Sequence, residues 1–412
     1  MQPQCGRRRH LLLVAFECPQ RFAGGELGMI AASKQQNLSK LIRAISVLIG
    51  LLAFSTTAVA TEIIESNLTV RGLGMGGVLD SIARDTDAIF FHPAALGMID
   101  GLRLQIVDLG LGVNGTSAYS DLQTANNNTA TLANYAGKRY WLGLNGKTAL
   151  AIPRFGFGAY DNGYLDISVQ NPVLPQLNTT YINDWGYYMA YGQETVPGLY
   201  IGMALKQVNR VGGTQVIPVS NLANSLTNLA DQFQDKGVGY GLDLSMIYQA
   251  KTTFQPAFHA IYHDIGATTF RKQTGTNAPP RIEPNVTFGF TTLLDLPGLD
   301  WTNAIEYRYA GNVGDTYDAT KKIHLGTELS LPFIDLRAGV NQGWATYGVG
   351  INVLLGSLDI AYYDVEMGGY AGQDNQNRIM VSFSMELSFD VNFNITGING
   401  KGGPRRKLKL RR

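Results

Sequence analysis

From residue 180 onward, segment after segment of the chain alternates apolar and polar side chains with a period of two. VGYGLDLSMIY sets Val238, Tyr240, Leu242, Leu244, Met246 and Tyr248 against Gly241, Asp243 and Ser245. RIMVSFSMELSF sets Ile379, Val381, Phe383, Met385, Leu387 and Phe389 against Arg378, Ser382, Ser384 and Glu386. DWTNAIEYRY, KIHLGTELSL and FIDLRAGVN repeat the pattern. Successive side chains of a strand point to opposite sides of a sheet, so every such segment has one greasy and one polar face.

A soluble sandwich alternates in the same way, with its apolar face inward. Loop lengths separate the two architectures. Fourteen candidate strands lie near 102–114, 148–160, 163–171, 180–193, 198–210, 238–250, 255–265, 284–294, 300–309, 322–331, 333–341, 345–354, 357–366 and 378–389. The links after even-numbered strands are tight: DN, ETVPG, AKTT, DLPGL, Pro332 alone, and GS. Those after odd-numbered strands are mostly longer, as at 115–147, 211–237 and 266–283. Short turns at one end and long loops at the other are the sidedness of an outer-membrane barrel. An even count also leaves both chain ends on the periplasmic side. The expected fold is all-β: a transmembrane antiparallel β-barrel of about 14 strands, within residues 102–393.

Composition agrees with an apolar exterior. The chain holds 48 Gly, 20 Tyr and 17 Phe, while charged residues make up 16%. Upstream, NLSKLIR (37–43), the apolar run 44–54 and the small residues Ala58 and Ala60 read as a secretory signal peptide. That apolar run falls short of the ~20 residues a membrane-crossing helix needs. Residues 1–60 are therefore leader and signal, with translation starting at Met29 as the simplest account of their length. Both cysteines, Cys5 and Cys18, fall in the leader, so the exported chain has no disulfide framework. Residues 61–400 carry 19 Lys and Arg against 30 Asp and Glu, which excludes a nucleic-acid-binding balance. The basic residues of KGGPRRKLKLRR stand apart, in a tail over 394–412.

RGLGMGG, residues 71–77, places Gly72, Gly74 and Gly77 in the spacing G-x-G-x-x-G and is followed by the helix-like VLDSIARD. A lone fingerprint of this kind is a weak sign of a dinucleotide site. Here no βαβ unit surrounds it, and it follows a signal peptide by about ten residues. The glycines are better placed to let the backbone turn tightly ahead of the first strand.

The stretch RGLGMGGVLDSIARDTDAIFFHPAALGMIDG resembles the N-terminal segment of FadL-type outer-membrane transporters of long-chain fatty acids and other hydrophobic compounds. Gly72 to Gly77 match that family's glycine turn, and Asp85 and Asp87 its acidic loop. Phe90, Phe91, His92, Pro93, Ala94, Ala95 and Leu96 match a phrase like FYNPAGL, with His92 in place of Asn and Ala95 in place of Gly. The resemblance implies that residues 61–101 form a hatch inside the barrel. It implies a hydrophobic ligand that binds among the extracellular loops, passes to a pocket at the hatch and leaves sideways into the membrane. The implied partners are that ligand, outer-membrane lipid and the barrel-assembly machinery. No Ser-His-Asp or paired-carboxylate arrangement with diagnostic spacing appears, so no enzymatic activity, cofactor or metal is expected, and the charge balance gives no nucleic-acid partner. Barrels with the same phrase also serve in secretion systems or as surface platforms, and the nearly absent eleventh-to-twelfth link keeps that alternative open.

Inward-facing charges add a further expectation. Asp184, Arg210, Asp243, Glu306, Arg308, Glu328 and Arg337, with Lys206, Lys322, His324 and Asp335, form a candidate charge ladder holding the hatch. Pro153 interrupts the second candidate strand; Pro cannot donate to a ladder, so a lateral opening is expected there. His259 and His263 sit about 13 Å apart on one strand face, too far to share a metal. Residues 217–236 read as a helix in the fifth-to-sixth loop, with Leu222, Leu226, Leu229 and Phe233 on one stripe.

Overall fold

The charged side chains of the wall strands mostly point into a ring, together with some aromatic and apolar ones such as Tyr188, Trp141 and Met380, while most large apolar side chains point out of it. A computed structural model describes residues 62–114, 134–171, 173, 176–218, 233–311, 317–353 and 356–389. The leader, the signal peptide, most of the helix-like stretch at 217–236 and the basic tail lie outside the described residues. The strands are β1 (Leu102–Val113), β2 (Arg139–Ile152), β3 (Phe155–Gln170), β4 (Gln176–Val196), β5 (Leu199–Pro218), β6 (Lys236–Gln249), β7 (Ala257–His263) and β8 (Phe270–Thr274). They continue as β9 (Asn285–Leu296), β10 (Leu299–Tyr307), β11 (Ile323–Ser330), β12 (Ile334–Asn341), β13 (Trp344–Val353), β14 (Gly356–Glu366) and β15 (Asn375–Phe389).

All pairings are antiparallel. They run from β5 back to β1, on to β15, down to β9, and through β7 to β6. β6 pairs with β5, from Leu199↔Tyr248 to Val211↔Lys236, and this closes the ring at 14 strands. β8 is the strand the sequence pattern missed. It pairs with β6 beyond the end of β7, so it continues β7's place in the wall after a break at 264–269. The backbone takes positive φ there at Asp264, Gly266 and Ala267.

Leu111, Leu205, Ile305, Leu325 and Phe383, all on the outward faces, are exposed. Asp243, Glu306, Glu328 and Arg337, all on the inward faces, are buried. A closed barrel leaves no unpaired edge, so its backbone polar groups are satisfied even in hydrocarbon. Two-residue links such as Pro153–Arg154 and Pro197–Gly198 gather at one end of the barrel. β4 and β5, of 21 and 20 residues, exceed the ~9–11 needed to cross the bilayer. They carry the wall well past the membrane at the long-loop end.

The structure corrects three expectations. Pro153 does not interrupt a strand. β2 and β3 pair without a break from Arg139↔Ser168 to Ile152↔Phe155, and Pro153 stands in the turn between them. Its ring presets the first turn position, and Arg154 takes φ 76 at the second, the pattern of a type II turn. No lateral opening forms at that point, and Asp161 and Asn162, expected as a turn, lie mid-strand in β3. Second, β5 runs on to Pro218, so Ile217 and Pro218 are strand and not the start of a helix; Phe233 is buried against the Tyr181 ring. Third, VLDSIARD is not helical. The helix is the glycine stretch itself, α1 (Val70–Gly74), capped by the Thr69 hydroxyl accepting from the Gly72 N–H. Beyond it the Leu79 and Ser81 N–H groups donate to the Glu306 carboxylate, a stronger acceptor than a neighbouring carbonyl.

Candidate functional site

Residues 62–101 make their contacts with inward-facing side chains from all round the ring, so the segment occupies the lumen. Its glycines set how closely it approaches the wall. Gly74 lies against the Gly348 backbone, and a Cβ there would come within 2.9 Å of the Gly348 Cα. Gly76, at φ 74, is pressed against the Leu325 carbonyl, and its N–H donates to the Thr346 hydroxyl at 2.9 Å. Gly77, at φ 75, sits beside His324 and Asn341, and its N–H donates to the Gly72 carbonyl. Gly72 abuts the Leu79 side chain. The wall is equally bare here, because Gly326 and Gly339 lie against the Met75 and Gly76 backbone.

Beyond the turn, six charged pairs tie the segment to the wall. Arg71 forks onto both oxygens of Glu328, at 2.9 and 2.7 Å, and Glu328 also accepts from Arg337 at 2.7 Å. Arg337 in turn holds Asp335 and Asp359. Arg308 reaches Glu65 at 2.9 Å, and His263 bridges Asp80 at 3.1 Å and Asp243 at 3.3 Å. Lys147 binds Asp87 at 3.1 Å and Asp108 at 3.4 Å; Arg103 lies 3.5 Å from Asp85; Arg378 forks onto Glu62. His263 and Arg308 hold the Asp80 carboxyl below the usual carboxylate range, at about 2, against the opposing pull of burial. Two further sets, Arg210 with Asp184 and Lys206 with Asp243 and Asp264, join wall to wall.

The Phe-Phe-His-Pro-Ala phrase forms the apolar floor. Short helix α2 (Ala88–Phe91) and a 3₁₀ turn at Pro93–Met98 follow one another, with His92 between them. Phe90 packs edge-on against Tyr188 and Tyr160, at 5.2 and 6.4 Å between ring centres. Lys147 stands 5.3 Å from the centre of the Phe91 ring. The Pro93 and Ala94 backbone lies on Gly202, and the Ala94 N–H donates to Ser245 at 2.8 Å. His92 is fully buried, edge-on to His259 at 5.2 Å, and neither of its ring nitrogens has a hydrogen-bond partner. Burial, and then the neighbouring His259, push its pKa well below 6.5. Among the described residues no three His, Cys, Asp or Glu side chains are grouped to hold a metal ion.

Above this floor a cavity of about 410 Å³ opens in the lumen. Leu68, Phe90, Phe91, Trp141, Tyr188 and Met380 give it apolar faces. Its charged rim includes Glu65, Asp80, Lys206, Arg210 and Arg308. Sequence reading missed Glu62, Lys147 and Arg378 as partners in the ladder. Lys147 falls in the 115–147 link on the sequence pattern, although the alternation through TALAI extends back to it once Pro153 is read as a turn.

A closed antiparallel barrel with an apolar outer belt and a polar lumen defines the class of an outer-membrane β-barrel. No protein-family model matches the sequence, and no curated protein matches it. The chain is similar in structure to the toluene transporter TodX of Pseudomonas putida, with 13% identity and a TM-score of 0.47 over 79% of this chain and 99% of that one. It is similar to the toluene transporter TbuX of Ralstonia pickettii, with 14% identity and a TM-score of 0.44 over 78% and 98%. A FadL homologue of Pseudomonas aeruginosa shares 12% identity, with a TM-score of 0.44 over 81% and 100%.

Proposed function

We propose that this barrel passes hydrophobic small molecules across the outer membrane, with residues 62–101 acting as a movable hatch. The observation that carries the reading is the lumen cavity of about 410 Å³ directly on the Phe90–Phe91 floor. Ligand pockets are concave, largely apolar and of about 300–1,000 Å³. The segment beneath it fills the lumen, so a ligand leaves downward or sideways only when that segment shifts. Lateral exit into the bilayer keeps a water-insoluble ligand out of the periplasm. The place that favours it is the break between β7 and β8, where Asp264 both lines the cavity and takes positive φ.

The test is uptake of labelled hydrophobic compounds, among them long-chain fatty acids and monoaromatic hydrocarbons, by cells with and without the protein. Deletion is expected to abolish uptake of at least one, with restoration by the wild-type chain. Unchanged uptake of all, together with loss of an exported protein, replaces this reading with a role in secretion.

A further inference from the structure

The structure assigns a chemical class to the ligand: an apolar molecule whose end is uncharged, and not a carboxylate. This rests on the function proposed above and narrows it. Among the described residues four Lys and Arg side chains line the cavity, Lys206, Arg210, Arg281 and Arg308, and each is already engaged. Lys206 lies between Asp243 at 3.0 Å and Asp264 at 2.8 Å. Arg210 spends one edge on both oxygens of Asp184 and its remaining terminal nitrogen on the Pro280 carbonyl, at 2.7 Å. Arg308 holds Glu65 at 2.9 Å; its Nε is buried, 3.7 Å from Glu306. Arg281, exposed at the rim, pairs with Glu283 at 2.7 Å.

The acids lining the same space are Glu62, Glu65, Asp80, Asp184, Asp264 and Glu283. Among the described residues these six carboxylates meet the four cations above, Arg378, which forks onto Glu62, and His263, which is held by Asp80 and Asp243, so the acids and cations are taken up by one another. An entering carboxylate therefore finds, among the described residues, no buried cation free to neutralise it. Displacing a resident acid from Arg210 or Arg308 leaves that acid uncompensated in a low-dielectric site, the costly outcome for a buried pair. A hydroxyl, by contrast, is a donor, and the rim is rich in carboxylate acceptors. The hydrocarbon body meets the Phe90, Tyr188 and Trp141 rings and the Leu68 and Met380 side chains.

The probes are 1-octanol and octanoate, matched in chain length, titrated calorimetrically into the full-length barrel in detergent at pH 8. Octanol is expected to bind at least about tenfold tighter, a difference of about 1.4 kcal/mol. Equal or tighter binding of octanoate overturns the inference and leaves the transport reading standing; binding of neither probe overturns both. Asp184→Asn frees Arg210 and is expected to narrow the ratio by strengthening octanoate. Glu65→Gln does the same at Arg308 without altering the wall, which covers the case in which the strand variant does not assemble. An unchanged ratio in whichever folded variants are obtained, judged by heat-modifiable gel mobility, also counts against it.

Discussion

His92 is the residue whose chemistry and surroundings agree least. A neutral imidazole has one donor and one acceptor, and here both are buried without a partner. Around it stand His259, whose ring it meets, and the charged groups Asp80 and His263. With its pKa well below 6.5 in the fold, His92 binds its proton less readily folded than unfolded. Stability is then lost as pH falls through about 6.5 and is level above it. The expected result is that wild type loses denaturant stability between pH 7.5 and 5 while His92→Asn has the flatter profile over the same range. Parallel profiles would show that His92 does not titrate across the unfolding transition.

At the scale of elements, the glycine turn and the wall it touches behave as one unit. Gly76 has φ 74, and a Cβ there would sit 1.9 Å from the Leu325 carbonyl oxygen, so Gly76→Ala is strained in backbone and in contact. The backbone share alone is about 1–3 kcal/mol. Gly137, also at positive φ, has open space around its Cβ position and isolates that share. Gly76→Ala is thus expected to speed amide exchange over residues 72–81 well beyond any local effect of Gly137→Ala. Similar effects from the two substitutions would remove the close-approach argument. Most strand placements were legible because alternation is local, needing only side chains two residues apart. The β2–β3 hairpin was misplaced because Pro153 suits both a broken ladder and a turn, and only the partner strand's register distinguishes them. The helix after the glycines failed because Glu306, more than two hundred residues away, takes the N–H groups that would have continued it.

For the molecule as a whole, the ladder of charges decides how firmly the lumen is filled. Glu328 accepts from Arg71 on the segment and Arg337 on the wall, so Glu328→Gln leaves two guanidiniums facing each other. Breaking a buried pair by removing one partner costs about 3–5 kcal/mol, reduced here because Arg71 is 22% exposed. The barrel's ladder of 14 paired strands does not depend on this contact, so the loss falls on the segment. Glu328→Gln is expected to raise single-channel conductance in planar bilayers while keeping heat-modifiable mobility; unchanged conductance would mean the segment is held by its other pairs.

Alternation, turn chemistry and loop lengths by themselves determined an outward-greasy closed barrel, because those signals depend on neighbours along the chain. They also sorted the inward charges Glu306, Arg308, Glu328 and Arg337 to one face. Tertiary structure alone decided which charges meet. Arg71 with Glu328 and Glu62 with Arg378 join residues hundreds of positions apart, and strand periodicity says which way a side chain points but not what stands across the lumen. It also decided that Asp184 and Arg210 neutralise each other and that no Lys or Arg among the described residues lining the cavity is left without an acidic partner. Coulomb attraction selects partners by distance in space, and that distance exists only once the ring has closed.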